Sequence, residues 1–257
     1  MKRPENKEEV VQNLIVILLI IGIILLFSLA SINAVPQGPD SINVTANETK
    51  SDVSGKEINI SGGYIATLNL STTTKNTHWK AFVGWINGQF ALTDQTGSTI
   101  FDWGFTSASG RVFATKNSTT PTWTNINCSN ITHLNNENTY FNHTSPNDNL
   151  TVTFNATFNE SNNETESGAH ESFYVGTISI TANSCPTTNT YTNNQSDQNY
   201  WEEVALYDGS DIIYAALSEE GEVGFDGNTY DFQMIVPEDA TPGSDTRTAY
   251  YLYIELD

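Results

Sequence analysis

The segment Leu14–Ala30, LIVILLIIGIILLFSLA, constrains this chain more than any other stretch. Its seventeen residues carry no charge and one hydroxyl, Ser28. As a helix it rises about 26 Å, and flanking Val10, Val11, Ile32 and Val35 extend it to bilayer thickness. Lys2, Arg3 and Lys7 precede it, so the positive-inside rule places residues 1–13 in the cytoplasm and the remainder outside. The expected organisation is a cytoplasmic tail (1–13), a transmembrane anchor (14–34), a linker (35–56) beginning VPQGPDS, and an exterior domain (57–257). The alternative for 14–34 is a signal sequence cleaved near Ala34, which would leave a secreted protein.

After the linker, helical periodicity is essentially absent. Short runs of β-branched and aromatic residues alternate with Gly, Asp, Asn and Ser clusters. This pattern predicts an all-β fold, an antiparallel β-sandwich of immunoglobulin-like or jelly-roll-like type. Within residues 78–105, the turn signals DQTG (94–97) and SASG (107–110) bound three expected strands, about 79–93, 98–106 and 111–116. Matching apolar faces pairs Phe90 with Phe101 and Gly88 with Trp103, then Trp103 with Ala114 across the second turn. One face, holding Phe82, Ile86, Phe90, Leu92, Phe101, Trp103, Phe105, Val112 and Ala114, then reads as core, with Gly88 making room for the Trp103 ring. The opposite face holds Trp79, Trp85 and Phe113, a candidate aromatic binding face for a surface glycan.

Strands are also expected at 201–207, 212–217, 229–237 and 248–256, each with one wet face. Tyr230, Phe232, Met234 and Val236 form one period-two stripe, and Tyr250, Leu252, Ile254 and Leu256 another. NLTVTFNATFNE (149–160) alternates in the same way, with Leu150, Val152, Phe154, Ala156 and Phe158 on one side, and reads as a further strand. Its polar side carries glycosylation sequons. In all, thirteen N-x-S/T sequons occur, at Asn43, Asn47, Asn59, Asn69, Asn117, Asn127, Asn130, Asn142, Asn149, Asn155, Asn159, Asn163 and Asn194.

Cys128 and Cys185 are the two cysteines, both in the exterior part, where an oxidising environment favours a disulfide. On the chain-entropy account, closing a loop of that length contributes about 4 kcal/mol. The net charge of −20, with ten basic residues, argues against nucleic acid as a partner. Oxygen-rich loops make Asp208, Asp211, Asp226 and Asp231 weak candidates for structural calcium, although none has the EF-hand spacing. The four histidines are scattered and His170-Glu171 lacks a second His at the metalloprotease interval. No nucleophile elbow or phosphate loop occurs, so no catalytic residue, cofactor or enzymatic activity is assigned.

Five stretches, VPQGPDSI, HWKAFVGWINGQFALTDQTGSTIFDW, SGRVFATKN, FYVG…NSCP and GFDGNTYDFQMIVP, resemble a family of archaeal membrane-anchored, all-β cell-surface proteins. The resemblance covers most of 35–257 and implies location and fold; it carries no functional residue. The expectation is therefore an anchored, glycosylated extracellular protein with a structural or adhesive role, self-associating or contacting surface glycans or proteins. The alternatives are a filament subunit assembled by strand donation, with EINISGGYIATLNLS (57–71) as donor, and a carbohydrate-active enzyme.

Overall fold

The computed structural model describes residues 35–103, 110–155, 170–196, 200–241, 243 and 247–256. The chain divides into two units, Met1–Ala34 and Val35–Asp257. The tail and anchor expected over 1–34 lie outside the described residues. Among the described residues no helix is long and apolar enough to cross a membrane.

The second unit is mostly β-strand in several antiparallel sheets, with few helices. In chain order the first strands are β1 (Trp79–Gly84), β2 (Phe90–Thr93), β3 (Thr99–Trp103), β4 (Gly110–Thr115) and β5 (Asn127–Cys128). Helices α1 (Ile131–Tyr140) and α2 (Leu150–Thr153) follow. Next come β6 (Phe173–Val175), β7 (Ile178–Ile180), β8 (Thr187–Asn189), β9 (Tyr191–Thr192) and β10 (Gln195–Ser196). The last are β11 (Glu202–Tyr207), β12 (Ile212–Leu217), β13 (Glu222–Val223), β14 (Thr229–Tyr230), β15 (Phe232–Pro237) and β16 (Tyr251–Leu256).

Six strands form the central sheet, in the order β16-β4-β12-β11-β5, with β8 also on β11. Its inner strands are buried on both faces, so the expectation of one wet face per strand fails there. Val112 and Ala114 of β4, Ala205 of β11, and Tyr214 and Ala216 of β12 face one core, against Met234 and Val236 of β15. Phe113, Val204, Leu206, Ile213, Ala215 and Tyr253 face a second core, built with Trp123, Phe173, Val175 and Cys185. Alternation along each strand sends successive side chains to opposite cores. The Cys128–Cys185 disulfide closes a span of 57 residues beside the second core.

The expected three-strand meander does not form. β1 pairs with β15, not with β3, and ends at Gly84. β4 lies between β12 and β16, so Ala114 faces Tyr214 and Leu252 rather than Trp103. A strand with both faces apolar must be covered on both, and the terminal strand supplies its second neighbour. Gly110 opens β4 at φ 146°, where a Cβ would collide with the Glu255 carbonyl.

The β2–β3 hairpin forms at the expected turn. Asp94 Oδ1 accepts from the N–H groups of Thr96 and Ser98, and Gly97 takes φ 86°. Its register is displaced by two residues: Phe90 faces Trp103 and Leu92 faces Phe101, with an irregularity between Leu92 and Thr93. Gly88 leaves room for the Leu256 side chain, not for Trp103. Leu92, Phe101 and Trp103 are 59%, 57% and 53% exposed, so the face expected as core is at the surface here.

Two further expectations are overturned. Residues 149–155 hold a helical turn, not a strand: Asn149 caps α2 by accepting from the Val152 N–H, which puts Leu150 and Phe154 into the core and leaves Val152 exposed. The rest of that expected strand, including Ala156 and Phe158, lies outside the described residues. Helix α1 was not foreseen. Asn130 caps it, and its buried stripe is Leu134, Glu137 and Asn138. Two of those three are polar, which is why hydrophobic periodicity does not reveal the helix.

Those polar positions are satisfied internally. Asn138 accepts from the Leu150 N–H, joining α1 to α2. Glu137 pairs with Lys116 at 2.7 Å, Lys116 with Asp211 at 2.9 Å, and the Tyr214 hydroxyl donates to Glu137. Burial opposes the Lys116 ammonium, but Glu137 and Asp211 outweigh it and hold its pKa above the ordinary value.

Phe113 and Trp103 therefore separate in a stability measurement. Phe113→Ala, at a fully buried site, is expected to cost about 3–5 kcal/mol in equilibrium denaturation. Trp103→Ala is expected to stay within about 0.5 kcal/mol of the parent.

Candidate functional site

Trp79, Trp85 and Phe113 do not share a face. Phe113 is fully buried beside Trp123, with ring centroids 5.2 Å apart. Trp79 is half-buried on β1 and packs against the first core. Its indole N–H donates to the Asp148 carbonyl at 2.7 Å. There it joins a polar clasp. His78 Nδ1 and Asn76 Nδ2 both donate to Asp148 Oδ2, at 2.8 and 2.9 Å. Burial raises the Asp148 pKa, but the bonds from Asn76, His78 and Ser145 overcome this and lower it. His143 donates to the Glu238 carbonyl at 2.9 Å, and burial pushes its pKa down. The clasp fastens the chain ahead of β1 to the loop ahead of α2.

Trp85 is different. It is 56% exposed, just beyond β1, and its indole N–H donates to the Thr229 carbonyl at 3.0 Å. Its ring packs on Tyr230, centroids 5.3 Å apart, and Tyr230 stacks on Phe225 at 6.2 Å with planes 16° apart. Phe225 is also exposed. In this row of ring contacts Trp85 and Phe225 are exposed while Tyr230 is buried, and polar groups lie at its edge. Asp226 accepts from the Tyr230 hydroxyl and the Asn228 amide, and these bonds, the Asn228 backbone N–H foremost, lower its pKa. Asn193 and Asn194 donate their backbone N–H groups to the Gly224 and Phe225 carbonyls, so the sequon at Asn194 lies beside the row. The sequence singles out Trp85 and places Tyr230 in a buried stripe, where the structure also puts it. Phe225 is not legible in the sequence, because it sits in a turn whose approach to β9–β10 is long-range.

Of the four acidic candidates for calcium, Asp208 and Asp211 share the β11–β12 turn while Asp226 and Asp231 lie elsewhere, and each carboxylate accepts from protein donors. Asp208 accepts from the Ser210, Asp211 and Thr122 N–H groups. Asp211 accepts from Lys116 and Asn117. Asp231 accepts from Gly221 and Ile86 N–H groups, Ile86 being the residue that leaves β1 for the core. Among the described residues no group of three or more His, Cys, Asp or Glu is arranged to hold a metal ion.

Of the sequon asparagines, Asn43, Asn47, Asn59, Asn69, Asn127, Asn130, Asn155 and Asn194 are exposed. Asn117, Asn142 and Asn149 are half-buried, and Asn159 and Asn163 lie outside the described residues. Asn117 commits its Nδ2 to Asp211 at 2.8 Å.

No family model, no curated protein and no solved structure matches this chain.

Acidic groups around β11 are poised to titrate. Burial, with the charges of Glu171 and Glu219, pushes Glu202 up to about 7. Glu203, fully buried between the central sheet and β15, is pushed well up by burial despite the Ile235 N–H it accepts. Below pH 4.5 Glu202 is protonated in folded and unfolded chains alike. Between 4.5 and about 7 the unfolded chain loses the proton and the folded chain keeps it, so stability falls as pH rises and then levels. Melting temperatures across that window are expected to fall less steeply in Glu202→Gln than in the parent.

Proposed function

We propose that this protein is a membrane-anchored, glycosylated extracellular protein with a structural or adhesive role at an archaeal cell surface, its exterior part a β-sandwich. The anchor reading rests on Leu14–Ala30 and the basic residues ahead of it. The sandwich reading is supported by the central sheet and the β1–β15 ribbon packing face to face across the first core. The disulfide suits an oxidising exterior, and eight sequon asparagines stand exposed.

The observation that carries the adhesive part is the pair of exposed rings Trp85 and Phe225, both packed on the buried ring of Tyr230. Aromatic faces edged by amides and carboxylates suit the C–H faces and hydroxyls of sugars. Binding to a panel of surface glycans, read by surface plasmon resonance, is expected to be lost or weakened at least tenfold in Trp85→Ala. Equal binding by parent and variant would remove the row from the proposal. Glycopeptide mass spectrometry of native protein tests the decoration: Asn130 and Asn194 are expected to be occupied, and Asn117, whose amide nitrogen is engaged by Asp211, to be the least occupied. An intact mass equal to the bare chain would overturn the glycoprotein reading.

A further inference from the structure

We propose that Lys116 and Asp211 join through an isopeptide bond, formed inside the fold with Glu137 as the proton carrier. The proposal stands apart from the exterior role and goes beyond it, giving a covalent product to a cluster whose resting state is an ion-pair network.

Three segments distant in sequence bring these groups together. Lys116 follows β4, Glu137 lies on the inward stripe of α1, and Asp211 sits in the turn before β12. Lys116 Nζ is 2.7 Å from Glu137 Oε2 and 2.9 Å from Asp211 Oδ1. The Lys116 and Glu137 side chains are 10% and 6% exposed, and that of Asp211 22%. The Tyr140 ring covers Nζ from a further side, its centroid 4.9 Å away. Asp211 Oδ2 accepts from Asn117 Nδ2 at 2.8 Å, and Glu137 Oε1 accepts from the Tyr214 hydroxyl at 3.3 Å. Each carboxylate is thus held at one oxygen and meets the amine with the other. Strands β4 and β12 are paired neighbours, with Tyr214 facing Ala114, so the sheet itself holds the reacting residues in place.

An ammonium and a carboxylate do not condense in water, where both are solvated and water is in excess. Fixed contact in a poorly solvated site changes both conditions. Burial opposes the Lys116 ammonium, although the two carboxylates hold it as the resting form. Burial also raises the Glu137 pKa, so moving one proton from Nζ to Oε2 yields a neutral amine beside a neutral acid. At Asp211 the bonds from Lys116 and Asn117 overcome burial, which leaves Glu137 the better proton carrier. The Nζ lone pair attacks Asp211 Cγ and an N–C bond forms. The charge that stays on Oδ2 faces the Asn117 amide N–H, placed as an oxyanion donor. Glu137 passes its proton to Oδ1, takes a second from the nitrogen and passes that on as well. The Cγ–Oδ1 bond breaks and Oδ1 leaves as water. Glu137 ends as the carboxylate it began as, and no oxidant, reductant or co-reactant is consumed. The product ties the end of β4 to the β11–β12 turn at the centre of the main sheet.

Mass spectrometry of the full-length protein tests this. After reduction and digestion with trypsin and a glutamate-specific protease, the parent is expected to give one branched peptide, Lys116 Nζ joined to Asp211. Its chain should be uncut after Lys116, and its mass one water below that of the same segments unjoined. Glu137→Gln is expected to give those segments unjoined, with trypsin cutting after Lys116. Asp211→Asn, which releases ammonia in place of water, is expected to give the identical branched peptide, and Asp211→Ala none. A parent whose Lys116 amine is free and whose chain is cut there would overturn the proposal, leaving an ion-pair network only. Joining at the parental yield in Glu137→Gln would overturn the role of Glu137, and a branch at Glu137 would overturn that of Asp211. Should a variant fail to fold, the digest of the parent alone decides whether the bond exists.

Discussion

Every residue of β12 is buried, and the rest of the fold answers to that constraint. A strand with no wet face needs a neighbour on each edge and a cover on each side. β4 and β11 supply the edges. The β1–β15 ribbon and the helical turn ending at Phe154 supply one cover. The other comes from the segment around Trp123 and Ile126 and the β6–β7 hairpin. The disulfide links two parts of that second cover, at Cys128 and Cys185, where loop segments alone would have little to hold them.

Burial of this kind brings polar groups inside, and the Lys116, Glu137 and Asn138 side chains meet partners there. Lys116, beyond the end of β4, meets Glu137 from α1 and Asp211 from the turn before β12. Three distant segments are thereby fixed to one another. Removing one member of such a cluster is costly because it strands the others in a poorly solvated place. Glu203 is different in kind: it accepts from the Ile235 N–H of β15, and burial pushes its pKa well above the ordinary carboxylate value.

The surface divides by a different logic. At Trp85 the exposed rings are tied to the backbone by bonds from Trp85 to Thr229 and from Asn194 to Phe225. The β2–β3 hairpin instead leaves Leu92, Phe101 and Trp103 exposed, and the segment 57–71 leaves Ile58, Ile60, Tyr64, Leu68 and Leu70 exposed.

The amino-acid sequence by itself determined the β-rich class, the carboxy-terminal strands near 201–207, 212–217 and 248–256, the turn at Asp94–Gly97 and the cysteine pair. Those signals are local: period-two alternation, a glycine able to take positive φ, an even cysteine count. Tertiary structure decided which face of each strand is covered. Phe113 and Trp103 look alike in sequence, each an aromatic residue in an alternating run, yet one is fully buried and the other exposed. The difference lies in β12 and β16 flanking β4 from a hundred residues away, while β2 and β3 pair only with each other among the described residues. Helix α1 was hidden for a related reason: its inward positions are polar and are satisfied by Lys116, Tyr214 and the N–H of Leu150. Alternation fixes that a strand has two faces; only the partners that arrive from elsewhere in the chain determine which of them stays dry.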